Sequence, residues 1–181
     1  MQGLIILVDG FEDCEALVTV DVLRRAKIDI DLVTLDQKEI KTQSNNIVYV
    51  SHLLKDVDLK KYDFLIIPGG KAVFNILDND KRVDEVIDYF YSNNKLICAI
   101  CAAPRLIAKR GYFNNHTYTS FPDCVDDDSL GTRVEQGVVE SGYFITAKSM
   151  YYSIDFALTI VEKLLGKELK EKVLKQIKGE K

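Results

Sequence analysis

The sequence has no tryptophan, and among 181 residues it has only 3 prolines, 2 histidines and 2 methionines. No apolar run is long enough to span a bilayer, and Leu4 to Val8 is too short even for a signal-peptide core. The expectation is therefore a cytoplasmic protein without a membrane partner. Four cysteines, Cys14, Cys98, Cys101 and Cys124, are too few for a secreted disulfide framework and are expected to be mostly reduced. A strong charge of one sign is missing too. The 24 basic and 28 acidic side chains leave a net charge of −4, with a basic cluster only in the Lys-rich terminal segment, so nucleic acid is not an expected partner. Neither G-x-G-x-x-G nor a Walker loop occurs, and no second ligand pair stands at metal spacing, so neither cofactor nor metal is expected. Internal repeats and low-complexity linkers are also lacking. Residues 1–181 then read as one domain, large enough to bury a core without staples.

What the chain does contain is centred on Lys95 to Gly111, KLICAICAAPRLIAKRG. Leu96 to Ile100 is a short branched apolar run, the pattern of a strand covered on both faces. Ala102 to Lys109 is rich in helix formers, Pro104 suits a first helical turn, and Gly111 suits a stop. Cys101 is thereby expected at the corner between strand and helix. Unpaired N–H groups at a helix start favour a thiolate, which makes Cys101 a candidate nucleophile. An unpaired cysteine is also commonly a small buried hydrophobe, and this stretch alone does not separate the two readings.

The remaining elements follow in order. Strands are predicted at Leu4–Val8, Ile30–Leu35 and Tyr62–Ile67, with a helix over Cys14–Lys27 whose last turn carries Arg24, Arg25 and Lys27. Glu39–Leu54 reads as a hairpin or excursion around Ser44-Asn45-Asn46, and Lys71–Tyr91 as a short and a longer helix broken near Asp78-Asn79-Asp80. A strand is predicted at His116–Ser120 and paired strands at Val134–Glu140 and Tyr143–Ala147. Helices are predicted at Ser149–Leu165 and Lys167–Ile177, and the acidic run Asp126-Asp127-Asp128 reads as a solvated or capping segment. This order predicts a flavodoxin-like three-layer α/β/α sandwich with a mainly parallel central sheet. The segments 9–15, 68–71, 101–103, 120–122 and 148–151 should then converge at one edge, where open α/β sheets bind ligands.

A nucleophilic cysteine is usually served by a histidine, but His52 falls in the excursion and His116 at the wrong end of its strand, so no Cys–His dyad is expected. A carboxylate remains. Glu15, in the first turn of the first helix, can reach back toward the strand ends, where burial would keep it protonated and able to move a proton. Cys98-Ala-Ile-Cys101 is formally C-x-x-C, yet Cys98 falls inside the strand and reads as core packing. Pro68-Gly69-Gly70 after a strand either turns tightly or lets backbone approach a ligand.

Ala99-Ile-Cys-Ala-Ala-Pro104, Ile67-Pro-Gly-Gly70, Gly10-Phe-Glu-Asp-Cys-Glu15 and Val20-Asp-Val-Leu-Arg-Arg-Ala26 together resemble the ThiJ/PfpI superfamily, nearest to its parkinsonism-associated deglycase (DJ-one) branch. The match continues through Phe156-Ala-Leu-Thr-Ile-Val-Glu162. The resemblance implies a single ThiJ/PfpI-like (class I glutamine amidotransferase-like) domain and a homodimer. Its nucleophile-elbow cysteine would be Cys101, readily oxidised to the sulfinic acid. Glu15 would be its protonated partner and the N–H groups of Gly70 and Ala102 its oxyanion site, with Gly69, Phe121, Pro122 and Met150 around the pocket. The implied activities are glyoxalase conversion of methylglyoxal to lactate, deglycase action on glycated substrates, and a redox-sensor or stress-chaperone role. Two departures stand out: Phe121-Pro122 replaces a family histidine before proline, and Ser149-Met-Tyr-Tyr152 replaces a Gly-Pro-Gly loop. Protease members place a histidine after the cysteine, where this chain has Ala102, so peptidase activity is not expected. Nothing in the residues supports thiazole or thiamine metabolism, an older label for the branch.

Overall fold

The structure, a computed structural model, describes residues 1–126 and 129–180. In chain order the elements are β1 (Gln2–Ile6), α1 (Asp13–Arg25), β2 (Asp29–Thr34), β3 (Glu39–Lys41), β4 (Ile47–Tyr49), β5 (His52–Leu53), β6 (Phe64–Ile67), α2 (Ala72–Asn75) and α3 (Lys81–Ser92). They continue with β7 (Leu96–Ile100), α4 (Pro104–Ala108), β8 (Thr117–Tyr118), β9 (Thr132–Arg133), β10 (Val138–Ser141), β11 (Phe144–Ala147), α5 (Ser153–Leu165) and α6 (Lys167–Lys178).

The central sheet runs β10-β11-β7-β6-β1-β2-β5, with every pair parallel except β10–β11. It is the mainly parallel, flavodoxin-like sandwich that the pattern predicts, with helices on both faces. Each residue of β6 and β7 is buried, which is why FLII and LICAI read as continuous apolar runs rather than alternating ones. From β1 the chain winds outward in both directions, so right-handed crossovers put helices on opposite faces and leave a topological switch between β1 and β6. The loops that leave β1, β6 and β7 at this edge carry Glu12, Gly69 and Cys101.

Several boundaries differ from the pattern for local reasons. Helix α1 begins at Asp13 because the Glu12 side chain caps it, accepting from the Glu15 N–H at 2.8 Å, and it ends before Lys27, whose φ is 62°. The helix after the elbow is five residues, with Pro104 at its start, while residues 101–103 form a turn in which Ala103 N–H donates to Ile100 O at 3.1 Å. The strand expected at His116–Ser120 is reduced to Thr117–Tyr118 and stands outside the central sheet, paired in parallel with β9. Its continuation is cut off because Thr119 N–H donates to the Thr146 side chain at 2.9 Å. Strand β10 starts at Val138 rather than Val134, whose N–H donates instead to Tyr118 O. The β3–β4 hairpin turns at Asn45, φ 66°, as Ser44-Asn45-Asn46 predicts, but His52–Leu53 then joins the main sheet as an edge strand that the pattern did not announce. Asp126 accepts from Arg105 at 2.9 Å; Asp127 and Asp128 lie outside the described residues.

Candidate active site at the Cys101 elbow

Strand β7 delivers Cys101 to the edge of the sheet, where its backbone adopts φ 64°, a left-handed conformation that L side chains rarely take. Bonds on both sides over-determine it: Cys101 N–H donates to Ala147 O and Cys101 O accepts from Phe121 N–H, each at 2.8 Å. The elbow turns the thiol out of the sheet core while Cys98, three residues back, stays fully buried within β7. Cys101 is partly buried and lines a cleft of about 290 Å³ with Gly70, Ala102 and Phe121.

Glu15 is fully buried beneath this cleft. Its Oε2 accepts from Gly69 N–H at 2.7 Å, whereas Oε1 is buried without a hydrogen-bond partner among the described residues. Burial lifts the carboxyl to about 7, against the opposing pulls of the Gly69 N–H and the neighbouring Cys101 thiol. The thiol is in turn pushed above the ordinary cysteine value, first by burial and then by the Glu15 carboxylate, while Ala102 N–H pulls it down. This differs from a simple helix-start thiolate: α4 is a short helix, and removal from water outweighs its N–H groups. Below about 7 the site keeps both protons, and above it Glu15 ionises first, leaving a carboxylate beside a thiol whose proton it is placed to accept.

Gly69 and Gly70 are required here for different reasons. A Cβ on Gly69 would lie 2.7 Å from both Cys101 Cβ and Glu15 Oε2, so only glycine lets the acid meet the elbow. Gly70 has φ 91°, and a Cβ there would lie 2.5 Å from Gly10 O. Neither Gly70 N–H nor Ala102 N–H is taken by a backbone carbonyl among the described residues, and Ala102 N–H serves the Cys101 thiol instead.

Of the residues expected together, Cys101, Glu15, Gly69, Gly70, Ala102 and Phe121 are gathered at this edge, while Pro122 and Met150 do not line the cleft. Met150 is instead 51% exposed, because the segment after β11 turns away into a short 3-10 turn and α5. Neither histidine lines the cleft: His116 Nδ1 is 3.1 Å from Ser141 Oγ, and His52 Nε2 is 3.9 Å from Asp31. Glu12 and Lys71 line the cleft from the segments 9–15 and 68–71 expected at this edge, whereas sequence reasoning missed Gln43, Phe74 and Cys124. Gln43 arrives because the β3–β4 hairpin folds over the loop after β1, with Gln43 N–H donating to Phe11 O at 2.8 Å and Lys71 N–H to Gln43 Oε1 at 2.9 Å. The hairpin's docking leaves no local pattern. Among the described residues no group of three or more His, Cys, Asp or Glu side chains is placed to hold a metal ion, and no helix is long and apolar enough to cross a membrane.

A sequence profile of the DJ-1/PfpI family matches residues 1–163. Drosophila melanogaster protein DJ-1alpha is 36% identical over 96% of this chain and 82% of its own length. The crystal structure of Drosophila melanogaster DJ-1beta superposes with a TM-score of 0.90 at 31% identity, covering 97% of this chain and 96% of that one. A Toxoplasma gondii DJ-1 structure, described as oxidized, superposes with a TM-score of 0.89 at 25% identity, covering 97% of each chain.

Proposed function

The chain belongs to the DJ-1/PfpI family, and on that premise we propose that it acts on small reactive aldehydes, converting a 2-oxoaldehyde such as methylglyoxal to the 2-hydroxy acid through Cys101 and Glu15. The observation that carries this reading is the buried carboxyl at about 7 in contact with the elbow thiol, a group able to take and return protons near neutral pH.

In its ionised form Glu15 accepts the thiol proton as the Cys101 sulfur adds to the aldehyde carbon. The C=O pair moves onto oxygen, where the N–H groups of Gly70 and Ala102 hold the charge until Glu15 returns that proton to give a hemithioacetal. Glu15 then removes the hydrogen from the former aldehyde carbon, the hemithioacetal hydroxyl proton passes to the adjacent ketone oxygen, and Glu15 delivers its proton to that adjacent carbon. This leaves a thioester with a neighbouring hydroxyl, and water releases the 2-hydroxy acid and regenerates the thiol. No electron leaves or enters, and no cofactor is called for. The apolar ring of Phe121 where relatives of the branch carry a histidine leaves Glu15 to serve every proton transfer, so turnover is expected to be slow. The cleft of about 290 Å³ suits a small aldehyde or a glycated side chain better than a folded chain.

Cys101→Ser should abolish lactate formation from methylglyoxal. Unchanged lactate formation in that variant would contradict the assignment.

A second reading, a redox sensor or stress chaperone, is supported by the unpartnered Oε1 of Glu15, which could donate a proton-mediated hydrogen bond to an oxygen on Cys101. The reading includes a homodimer in the cytoplasm. Leu17 on α1 and Ile154 on α5 are each 42% exposed and line one groove with Val18 and Ile177, apolar surface that a second copy would cover.

A further inference from the structure

The cleft that opens onto Cys101 is also lined by Cys124, a thiol for which the aldehyde chemistry has no use. Cys124 is nearly buried and forms no disulfide. Its segment is fastened over the elbow from both ends. Phe121 N–H donates to Cys101 O at 2.8 Å, and Arg105, one helical turn beyond Cys101, donates to Cys124 O at 3.3 Å. Between these anchors Asp123, with φ 59°, turns the chain so that Cys124 comes back to the cleft wall. The two other cysteines are placed elsewhere: Cys98 is sealed inside β7 and Cys14 lies on the exposed side of α1, outside the cleft lining.

We propose that Cys124 is the resolving thiol of Cys101, closing an intramolecular Cys101–Cys124 disulfide after a hydroperoxide has oxidised Cys101. The inference rests on the reading of Cys101 as a reactive cysteine and names how that site is regulated. In the first step the Cys101 sulfur attacks one oxygen of the hydroperoxide and the O–O bond breaks. The alcohol or water leaves with the bonding pair and the thiol proton, so sulfur loses two electrons and becomes a sulfenic acid. In the second step the Cys124 sulfur attacks the Cys101 sulfur and the S–O bond breaks. Hydroxide leaves with the pair and takes the Cys124 proton as water, so no further oxidant is consumed. A second hydroperoxide would instead carry Cys101 to the sulfinic acid, which thiol reductants do not reverse. Burial holds the Cys124 thiol above its ordinary value, with Asp123 adding to it, while Arg105 and Arg133 oppose that rise. The disulfide would withdraw the nucleophile and close the cleft, and reduction would restore both.

The test is oxidation of the reduced full chain with two equivalents of hydrogen peroxide, enough to supply both oxygens of a sulfinic acid, followed by intact mass and peptide mapping. The wild type should lose two hydrogens, yield a Cys101–Cys124 cross-linked peptide, and regain its mass and methylglyoxal turnover with dithiothreitol. Cys124→Ser should instead gain two oxygens at Cys101 that dithiothreitol does not remove. Wild-type protein that gains two oxygens at Cys101 while Cys124 stays free to alkylate would overturn the inference and leave the reactive-cysteine reading standing. A Cys101 that stays reduced in both proteins would overturn that reading itself, and the inference with it.

Discussion

Replacing Glu15 by Gln should change the pH dependence of stability by an amount set by the burial of one carboxyl. Burial raises Glu15 from 4.5 to about 7. The folded-state value lies above the unfolded one, so its contribution is fully present below 4.5 and is lost as pH rises through about 7. Over that interval the unfolded chain ionises Glu15 while the folded chain must keep it protonated. At about 1.4 kcal/mol for each pH unit, the wild type should lose about 3 kcal/mol relative to Glu15→Gln. Other carboxylates titrate alike in both proteins and cancel in the difference. The assay is urea unfolding followed by far-ultraviolet circular dichroism, since the chain has no tryptophan. It should be run at fixed protein concentration and below the ~8.5 at which unfolded cysteines titrate. The stability difference between variant and wild type should grow steadily with pH and level off above about 7. A difference that stays flat across the interval would refute the placement of Glu15 as a buried, uncompensated acid.

Gly69→Ala would force a Cβ to within 2.7 Å of both Cys101 Cβ and Glu15 Oε2; it should cost about 1–3 kcal/mol of stability and remove most methylglyoxal turnover, read by urea titration and lactate assay. Initial rates with methylglyoxal should rise with pH through about 7 as Glu15 gains the ionised form that accepts the thiol proton, and Glu15→Gln should lose that limb along with most of the rate. Phe90→Ala on α3 removes a ring with no exposed surface, remote from the cleft lining; it should cost about 3–5 kcal/mol in urea titration and leave the reactivity of Cys101 in the folded protein unchanged.

Legibility in the sequence followed how local each determinant is. The strand Leu96–Ile100 ends where its apolar run ends, the break between α2 and α3 falls at Asp78–Asp80, and Gly111 has the positive φ of a stop, because each is decided by nearest neighbours in the chain. The meeting of Glu15 with Cys101 was legible through topology: β1 and β7 both flank β6, so the first turn of α1 and the elbow reach the same edge. What escaped depends on contacts between distant segments. Thr146 takes the Thr119 N–H and so ends a strand the pattern carries on to Ser120, and the β3–β4 hairpin brings Gln43 to the cleft through Phe11. Cys124 escaped because a turn at Asp123 and an arginine from α4 decide which way it faces, and neither leaves a periodic signature.

The role of Glu15 as the base that takes the Cys101 proton is tested most directly by the rate at which iodoacetamide alkylates Cys101, resolved by peptide and followed across pH in the wild type and in Glu15→Gln. The wild-type rate should rise with a midpoint near about 7, where Glu15 ionises and can take the thiol proton as the sulfur attacks, and in the variant that limb should vanish, leaving Cys101 to titrate as a solitary thiol. Superimposable profiles for the two proteins would show that the acid and the sulfur do not act together, contrary to this account.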